Sequence, residues 1–299
     1  MTVLVRYYRS GKGAGLGLLI DGVIHDVSSD YPSLTVLLED SIGGVAEAIA
    51  SLEAAAQESD TKTPLDQLQP LNHPQAGFNW LPPIEHSQEV WAAGVTYERS
   101  RAARQEEAID GGDVYARVYS AQRPELFFKA RGHHVVGHLA EVGIRSDAAW
   151  SVPEPELAIL FNSALEVVGF TVGNDMSSRD IEGENPLYLP QAKVYTAACA
   201  LGPGIVLSPS TEFPQATIRV EIERAGQVAF TGDVHTARIK RTISELASYL
   251  GRCNTYPDGV FLLTGTGIVP PSDFTLAAGD VITIEIEGIG TLRNPVKVV

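Results

Sequence analysis

The run Val152-Pro153-Glu154-Pro155-Glu156-Leu157 sets two carboxylates one residue apart between prolines. Proline fixes its own φ and biases the residue before it toward extended backbone, so the segment reads as a strand with Glu154 and Glu156 projecting from one face. The apolar stretch from Leu165 to Asn174 reads as the next strand, with a third carboxylate, Asp175, at its end. If Asn162-Ser163 is a two-residue hairpin loop, Phe161 opposes Ala164, Glu154 opposes Thr171, and parity puts Asp175 on the face of Glu154. Asp175 is then four residues past Thr171, roughly 13 Å away, so a bulge or curl near Gly169 or Gly173 has to fold it back. Three converging carboxylates repel one another unless one takes up a proton or a cation joins them. With oxygen donors only, and no His or Cys in the cluster, the pattern favours Mg2+ or Mn2+ over zinc, and Ca2+ also fits. Exposed acids on a solvated sheet face would have the same spacing, and spacing alone leaves both readings open.

Two groups of elements must position these residues. At the N-terminus, Val3 to Tyr8, Leu16 to Ile20 and Val23 to Val27 read as a β-meander, with Asp21-Gly22 as a tight turn. Gly11-Lys12-Gly13-Ala14-Gly15 matches neither glycine-rich nucleotide pattern and is followed by strand-like residues, so it reads as a hairpin turn. Leu34 to Glu39 and Val45 to Ala55 carry helical periodicity, and the polar, proline-punctuated segment from Gln57 to Pro74 resembles a linker. Beyond Phe78 strand signals dominate: Glu89 to Val95, Leu126 to Lys129, Glu156 to Phe161, Leu165 to Asn174, Ile205 to Leu207, Thr217 to Glu223 and Asp280 to Ile286. Glu98 to Ile109 reads as a charged helix closed by Gly111-Gly112, and Thr242 to Leu250 as a helix opened by a T-x-x-E capping box. The expected fold class is α+β and β-rich.

Composition narrows the function. A chain of 299 residues has room for two domains and a sizeable core. With 37 acidic against 22 basic side chains and a formal charge of −15, most of its surface repels nucleic acid and anionic lipid, leaving a small molecule as the default partner. The start lacks a signal-peptide pattern and no stretch is apolar enough to span a bilayer, so a cytoplasmic location is expected. Cys199 and Cys253 show neither disulfide nor metal spacing and read as two buried thiols. His133, His134 and His138 sit beside Gly132 and Gly137 and read as loop histidines, not zinc ligands.

Taken together, Pro153-Glu154-Pro155-Glu156-Leu157 and Gly173-Asn174-Asp175-Met176-Ser177-Ser178-Arg179-Asp180 resemble the E-x-E and N-D-x-[ST]-x-R-D signature of the fumarylacetoacetate hydrolase family. The resemblance extends through Gln191-Ala192-Lys193, Leu263-Thr264-Gly265-Thr266-Gly267 and the closing Gly279-Asp280-Val281, Gly288-Ile289-Gly290 and Asn294-Pro295-Val296. It implies a fumarylacetoacetate-hydrolase-like catalytic β domain over 76–299 behind a small N-terminal domain over 1–75, a homodimer or homotetramer, and Mg2+ or Mn2+ held by Glu154, Glu156 and Asp175.

The same resemblance separates two chemistries. Carbon–carbon hydrolases of the family carry a His-Glu pair just after a G-x-N-Y run, and here Ser100 stands at the expected His in Gly94-Val95-Thr96-Tyr97-Glu98-Arg99-Ser100-Arg101. Without that imidazole, water activation loses its near-neutral base. Thr96-Tyr97 through Arg104, Arg123-Pro124-Glu125-Leu126-Phe127-Phe128-Lys129-Ala130, and Glu182 through Lys193 look like the 2-keto-3-deoxy-D-arabinonate dehydratase branch. That branch implies a metal-dependent hydro-lyase forming 2-oxoglutarate semialdehyde, Glu125 and Lys193 as acid and base in an open order, and Ser100, Arg101, Lys129, Thr264 and Thr266 as substrate contacts. A divalent ion chelated by the substrate's carboxylate and 2-oxo group would acidify the carbon-3 protons. The alternatives are a metal-dependent hydrolase of an acylpyruvate or fumarylacetoacetate-type diketo acid, a Schiff-base lyase using Lys193, and a binding protein without turnover.

Overall fold

A computed structural model describes residues 1–71, 77–99 and 113–299. Ten of its strands form the path of one large sheet: β1 (Val3–Arg9), β2 (Gly13–Ile20), β3 (Val23–Asp26), β4 (Lys62–Pro64), β5 (Glu89–Gly94), β6 (Glu125–Arg131), β7 (Pro155–Phe161), β8 (Val167–Asp175), β9 (Cys199–Leu207) and β10 (Val260–Leu263). Their order is β4-β3-β2-β1-β9-β8-β7-β10-β5-β6, with Phe78–Trp80 beside β1 and Val135–Val136 beside β9. All neighbours on the path are antiparallel except β10 and β5. The N-terminal meander is continuous with the rest, because Val3 and Leu4 of β1 pair with Val206 and Ile205 of β9.

A second sheet runs Gln227–His235, Thr217–Arg224, Val281–Ile286, Gly290–Val298, Val142–Ile144. Its Ile218, Val220, Ile284 and Leu292 pack with Leu157, Ile159, Phe170 and Val172 of β7 and β8. On the opposite face, Ala158, Leu160 and Val168 meet Leu34, Leu38 and Leu52 of the helices Leu34–Asp40 and Val45–Glu58. Strands β7 and β8 therefore lie at the centre of a three-layer stack, and every residue in both is buried. Burial on both faces explains their continuous apolar sequence in place of alternation.

Local signals place most elements. Asp21 (φ 48) and Gly22 (φ 76) are both left-handed, as a two-residue hairpin turn between β2 and β3 requires. The Gly11 region is the turn of the β1–β2 hairpin, with Arg9 paired to Gly13. Thr242 caps the helix Ile243–Leu250 by accepting from the Glu245 N–H. The strands Gln227–His235 and Gly290–Val298 were not anticipated, because the first is mostly exposed and lacks a clean apolar alternation. Of the helix expected from Glu98, positions 100–112 lie outside the described residues. Cys199 is buried, and its thiol is pushed up to about 12 by that burial; Cys253 is exposed, contrary to expectation, because it follows the terminus of a surface helix in a left-handed turn (φ 59). Among the described residues no helix is long and apolar enough to cross a membrane.

Candidate metal centre and active site

The β7–β8 hairpin brings the acids together through a register different from the one expected. Its loop is five residues long, Asn162 to Glu166, because Phe161 pairs with Val167. The Asn162 side chain organises the longer loop by accepting from the Ala164 and Glu166 N–H groups. The longer loop alone would turn Asp175 away from Glu154. One extra residue, Val168, bulges out where Leu160 pairs with Gly169, and this restores the parity. Pro155 then pairs with Asn174, and Asp175 lies directly across from Glu154, its N–H donating to the Glu154 carbonyl at 3.0 Å. The 13 Å shortfall of the two-residue loop does not arise. On either side, Val152 pairs with Ser177, which closes the chain around the acids.

Glu154, Glu156 and Asp175 are 4 %, 1 % and 1 % exposed, and one oxygen from each lies within 4.8 Å of the others. Three buried cations face them. Lys193 Nζ lies 2.7 Å from Glu154 Oε2 and 3.2 Å from Asp175 Oδ2, and donates to Ser177 Oγ at 2.6 Å. Arg179 Nη2 holds Glu154 Oε1 at 2.9 Å. Lys129 Nζ meets Asp175 Oδ1 at 2.5 Å and donates to the Met176 and Lys193 carbonyls. Glu156 accepts from the Gly265 N–H at 2.7 Å. Burial, then the charges of Asp175 and Glu154, hold the Glu156 carboxyl well above the usual carboxylate range, against the opposing pull of Lys193 and the Gly265 amide. Buried oxygens at this separation fit a hard divalent cation, whose bonds of roughly 2.0–2.6 Å put opposed donors ~4–5 Å apart. A bound cation would also offset the Glu156 shift by favouring the ionised carboxylate.

The triad opens into a cavity of about 20 Å³, ion- or water-sized, whose walls include Glu125, Phe127, Glu182, Lys193, Gly265 and Thr266. Glu125 reaches it because Gly94 lies opposite on β5: a Cβ at Gly94 would sit 2.2 Å from Glu125 Oε2. The neighbouring Val95 also lines the cavity and holds φ 52, a left-handed conformation that a β-branched residue adopts only under constraint. Gly94→Ala is therefore expected to push the Glu125 carboxylate aside. Turnover should fall about 10²-fold, the effect of a misplacement near 1 Å. The melting temperature should hardly move, because the displaced atom ends a flexible side chain. Steady-state kinetics beside a melting curve check both parts.

Two of the residues expected as substrate contacts, Lys129 and Thr264, do not line the cavity. Lys129, expected as a substrate contact, lies behind Asp175 and does not line the cavity, because all its charge is turned into the β8 end and the Lys193 backbone. Thr264 is likewise turned inward: its hydroxyl donates to the Leu157 carbonyl, whereas Thr266 lines the cavity. Ser100 and Arg101 lie outside the described residues. Sequence reasoning passed over Arg179 and Glu182 as functional candidates. Their three-residue spacing puts both on one face of the helix Arg179–Glu184, a signal legible in Arg179-Asp180-Ile181-Glu182. The exposed rings of His133 and His134 lie 4.1 Å apart, tilted by 59°, and among the described residues the acid triad is the one group of His, Cys, Asp and Glu placed to hold a metal.

Paired β-layers enclosing a buried three-carboxylate centre define a metal-binding α+β enzyme class, and the chain belongs to the fumarylacetoacetate hydrolase family, whose C-terminal domain matches residues 89–297. It is similar to the probable 2-keto-3-deoxyxylonate dehydratase of Haloferax volcanii, 49% identical over 214 residues that make up 71% of this chain and 73% of the relative. The 2-dehydro-3-deoxy-D-arabinonate dehydratase of Saccharolobus solfataricus is 46% identical over 213 residues, 70% of this chain and 72% of that one. A solved structure of 2-keto-3-deoxy-D-arabinonate dehydratase complexed with magnesium and 2,5-dioxopentanoate superposes with a TM-score of 0.81 at 34% identity, covering 99% of both chains.

Proposed function

We propose that this chain is a Mg2+-dependent hydro-lyase that removes water from a 2-keto-3-deoxy sugar acid, with 2-keto-3-deoxy-D-arabinonate as substrate and 2-oxoglutarate semialdehyde (2,5-dioxopentanoate) as product. The observation that carries this reading is the single cavity in which the acid triad, Lys193 and Glu125 all meet. The likeness to two dehydratases, and to one in complex with magnesium and that product, supports it.

Glu154, Glu156 and Asp175 would hold the ion, which when bound supplies Lewis acidity to the substrate's carboxylate and 2-oxo group. Mn2+ suits the same oxygen donors. Glu125 and Lys193 flank the remaining space and carry the two proton transfers, one taking the carbon-3 proton and the other protonating the departing carbon-4 hydroxyl. Water leaves, and the unsaturated acid tautomerises to the 5-aldehyde with no redox change. Lys129 and Arg179 keep Asp175 and Glu154 aimed at the centre. Thr266 and the Gly265 backbone face the substrate's acid end. Ser100 and Arg101 are assigned to the substrate on family resemblance alone. The same resemblance supports a division at 75/76 and a homodimer or homotetramer.

Two features weigh against the alternatives. No histidine is among the described residues lining the cavity, so the hydrolase's water-activating base has no counterpart there. Lys193 Nζ is held by three oxygen partners, a placement poorly suited to attack on a carbonyl. The test is incubation of the purified protein and Mg2+ with 2-keto-3-deoxy acids and acylpyruvates, following water loss and carbon–carbon cleavage in parallel. Water loss from the sugar acids, abolished by EDTA and restored by Mg2+, is the expected result. Cleavage of acylpyruvates alone would replace this reading with the hydrolase, and borohydride trapping of substrate on Lys193 would replace it with the imine route.

A further inference from the structure

The inner cavity, at about 20 Å³, is too small for a whole sugar acid. A second cavity of about 270 Å³ shares Glu125 and Glu182 with it, whereas one water needs on the order of 10–15 Å³ by the same measure. If the acid end of the substrate lies at the triad and carbons 3 and 4 lie between Glu125 and Lys193, carbon 5 is directed between the Glu125 and Glu182 side chains into this outer chamber. Among the described residues, its walls beyond those carboxylates are Val118, Pro124, Pro186 and Leu189, with Arg123 as the one basic residue lining it. The Arg123 guanidinium is engaged over the Tyr249 ring, 5.3 Å from its centroid. The surface offered to carbon 5 and anything attached to it is thus mainly aliphatic, and it has more room than the single hydroxymethyl end of a five-carbon acid fills.

We infer that the outer chamber is a subsite for a sixth carbon, and that the chain also dehydrates six-carbon 2-keto-3-deoxy acids ending in a methyl group, in preference to those ending in hydroxymethyl. The inference rests on the dehydratase reading and extends its substrate class. The chemistry balances without a further reactant: the carbon-3 proton and carbon-4 hydroxyl leave as water, and tautomerisation turns the carbon-5 carbinol into a carbonyl. A 6-deoxy substrate then yields 2,5-dioxohexanoate, a methyl ketone in place of the aldehyde. Val118 and Leu189 are the specificity-determining residues, because their side chains contribute apolar wall without reaching the acid triad's cavity.

The test measures kcat/KM with Mg2+ for the five-carbon acid, a six-carbon acid with a terminal hydroxymethyl group, and its 6-deoxy counterpart, each as both carbon-4 epimers. The 6-deoxy acid is expected to exceed its hydroxymethyl counterpart by about ten-fold or more, the discrimination one apolar contact provides in such a pocket. Leu189→Asn, which puts an amide in the wall, should narrow that ratio. Val118→Trp, which fills the chamber, should depress the 6-deoxy acid at least about ten-fold more than the five-carbon acid. Proton NMR of the methyl ketone identifies the product. Dehydration of the five-carbon acid with both six-carbon acids inert would overturn the inference and leave the dehydratase reading standing, as would ratios unmoved by both variants. Water loss from no acid of either length would overturn both.

Discussion

Lys193→Met is expected to lower kcat by about 10²–10⁴-fold, the usual contribution of a positioned acid–base group, while Mg2+ still binds. The side chain is 2 % exposed and lies between Glu154 and Asp175, so it has two separable roles. As a proton carrier it lines the cavity opposite Glu125. As a buried cation it offsets charge that the fold has placed at one point, and removing one partner from a buried ionic set costs about 3–5 kcal/mol. The metal-free variant should therefore melt well below the wild type, and saturating Mg2+ should return most of the difference, because the ion supplies the missing positive charge. Calorimetry should show affinity for Mg2+ undiminished, since a competing ammonium is gone. Lys193→Arg should not restore turnover, because a planar guanidinium that stays protonated cannot exchange the proton. Wild-type kcat in the methionine variant would remove Lys193 from the chemistry, and a loss of Mg2+ affinity would make it part of the metal site.

The second large effect concerns Glu156 and is a matter of sign. In the metal-free protein, burial and two neighbouring carboxylates raise this group's pKa in the folded state. The folded form then holds the proton more tightly than the unfolded chain does. Its contribution to stability is fully present below the unfolded glutamate value of about 4.3 and is lost as pH rises through the raised folded value. An ion that binds the ionised form reverses the trend, since it must displace that proton. The rise in melting temperature on adding Mg2+ should be small in acid, grow as pH climbs through the raised Glu156 value, and level off above it. At a hundred-fold excess over Kd the stabilisation should reach about 2.7 kcal/mol. Glu156→Gln should abolish the Mg2+ response at every pH. It should leave the metal-free protein at least as stable as the wild type at neutral pH, because a buried carboxyl whose ionisation costs stability is replaced by a neutral group of the same shape. Melting curves with Mg2+ and with EDTA across this range decide it. A wild type whose melting temperature ignores Mg2+ across the whole range would end the metal reading.

How far the centre was legible depends on the kind of information each residue carries. Glu154 and Glu156 were readable as a pair because the prolines around them force extended backbone, and extended backbone has a period of two. The oxygen-only donor set followed from residue types alone. Asp175 was readable as a member of that face but not as the partner of Glu154, since the five-residue loop and the bulge at Val168 shift the register by an even number. An even shift preserves which face a side chain occupies and erases every trace of where along the strand its partner sits. Lys129 carried in the sequence only the substrate-contact role lent by family resemblance; its burial behind Asp175 comes from the strand order that sets β6 within reach of the β8 end.

By itself, then, the sequence determined which chemical groups are available and which face each strand residue occupies. Backbone sterics and apolar runs act over a few residues and leave their mark in local order. Only the tertiary structure decided that three cations are buried against three carboxylates, that Gly94 makes room for Glu125, and that an aliphatic chamber opens beyond it. Those relations join residues far apart in the chain. They are set by packing and by the mutual compensation of buried charges, quantities that exist only once the layers have closed on one another.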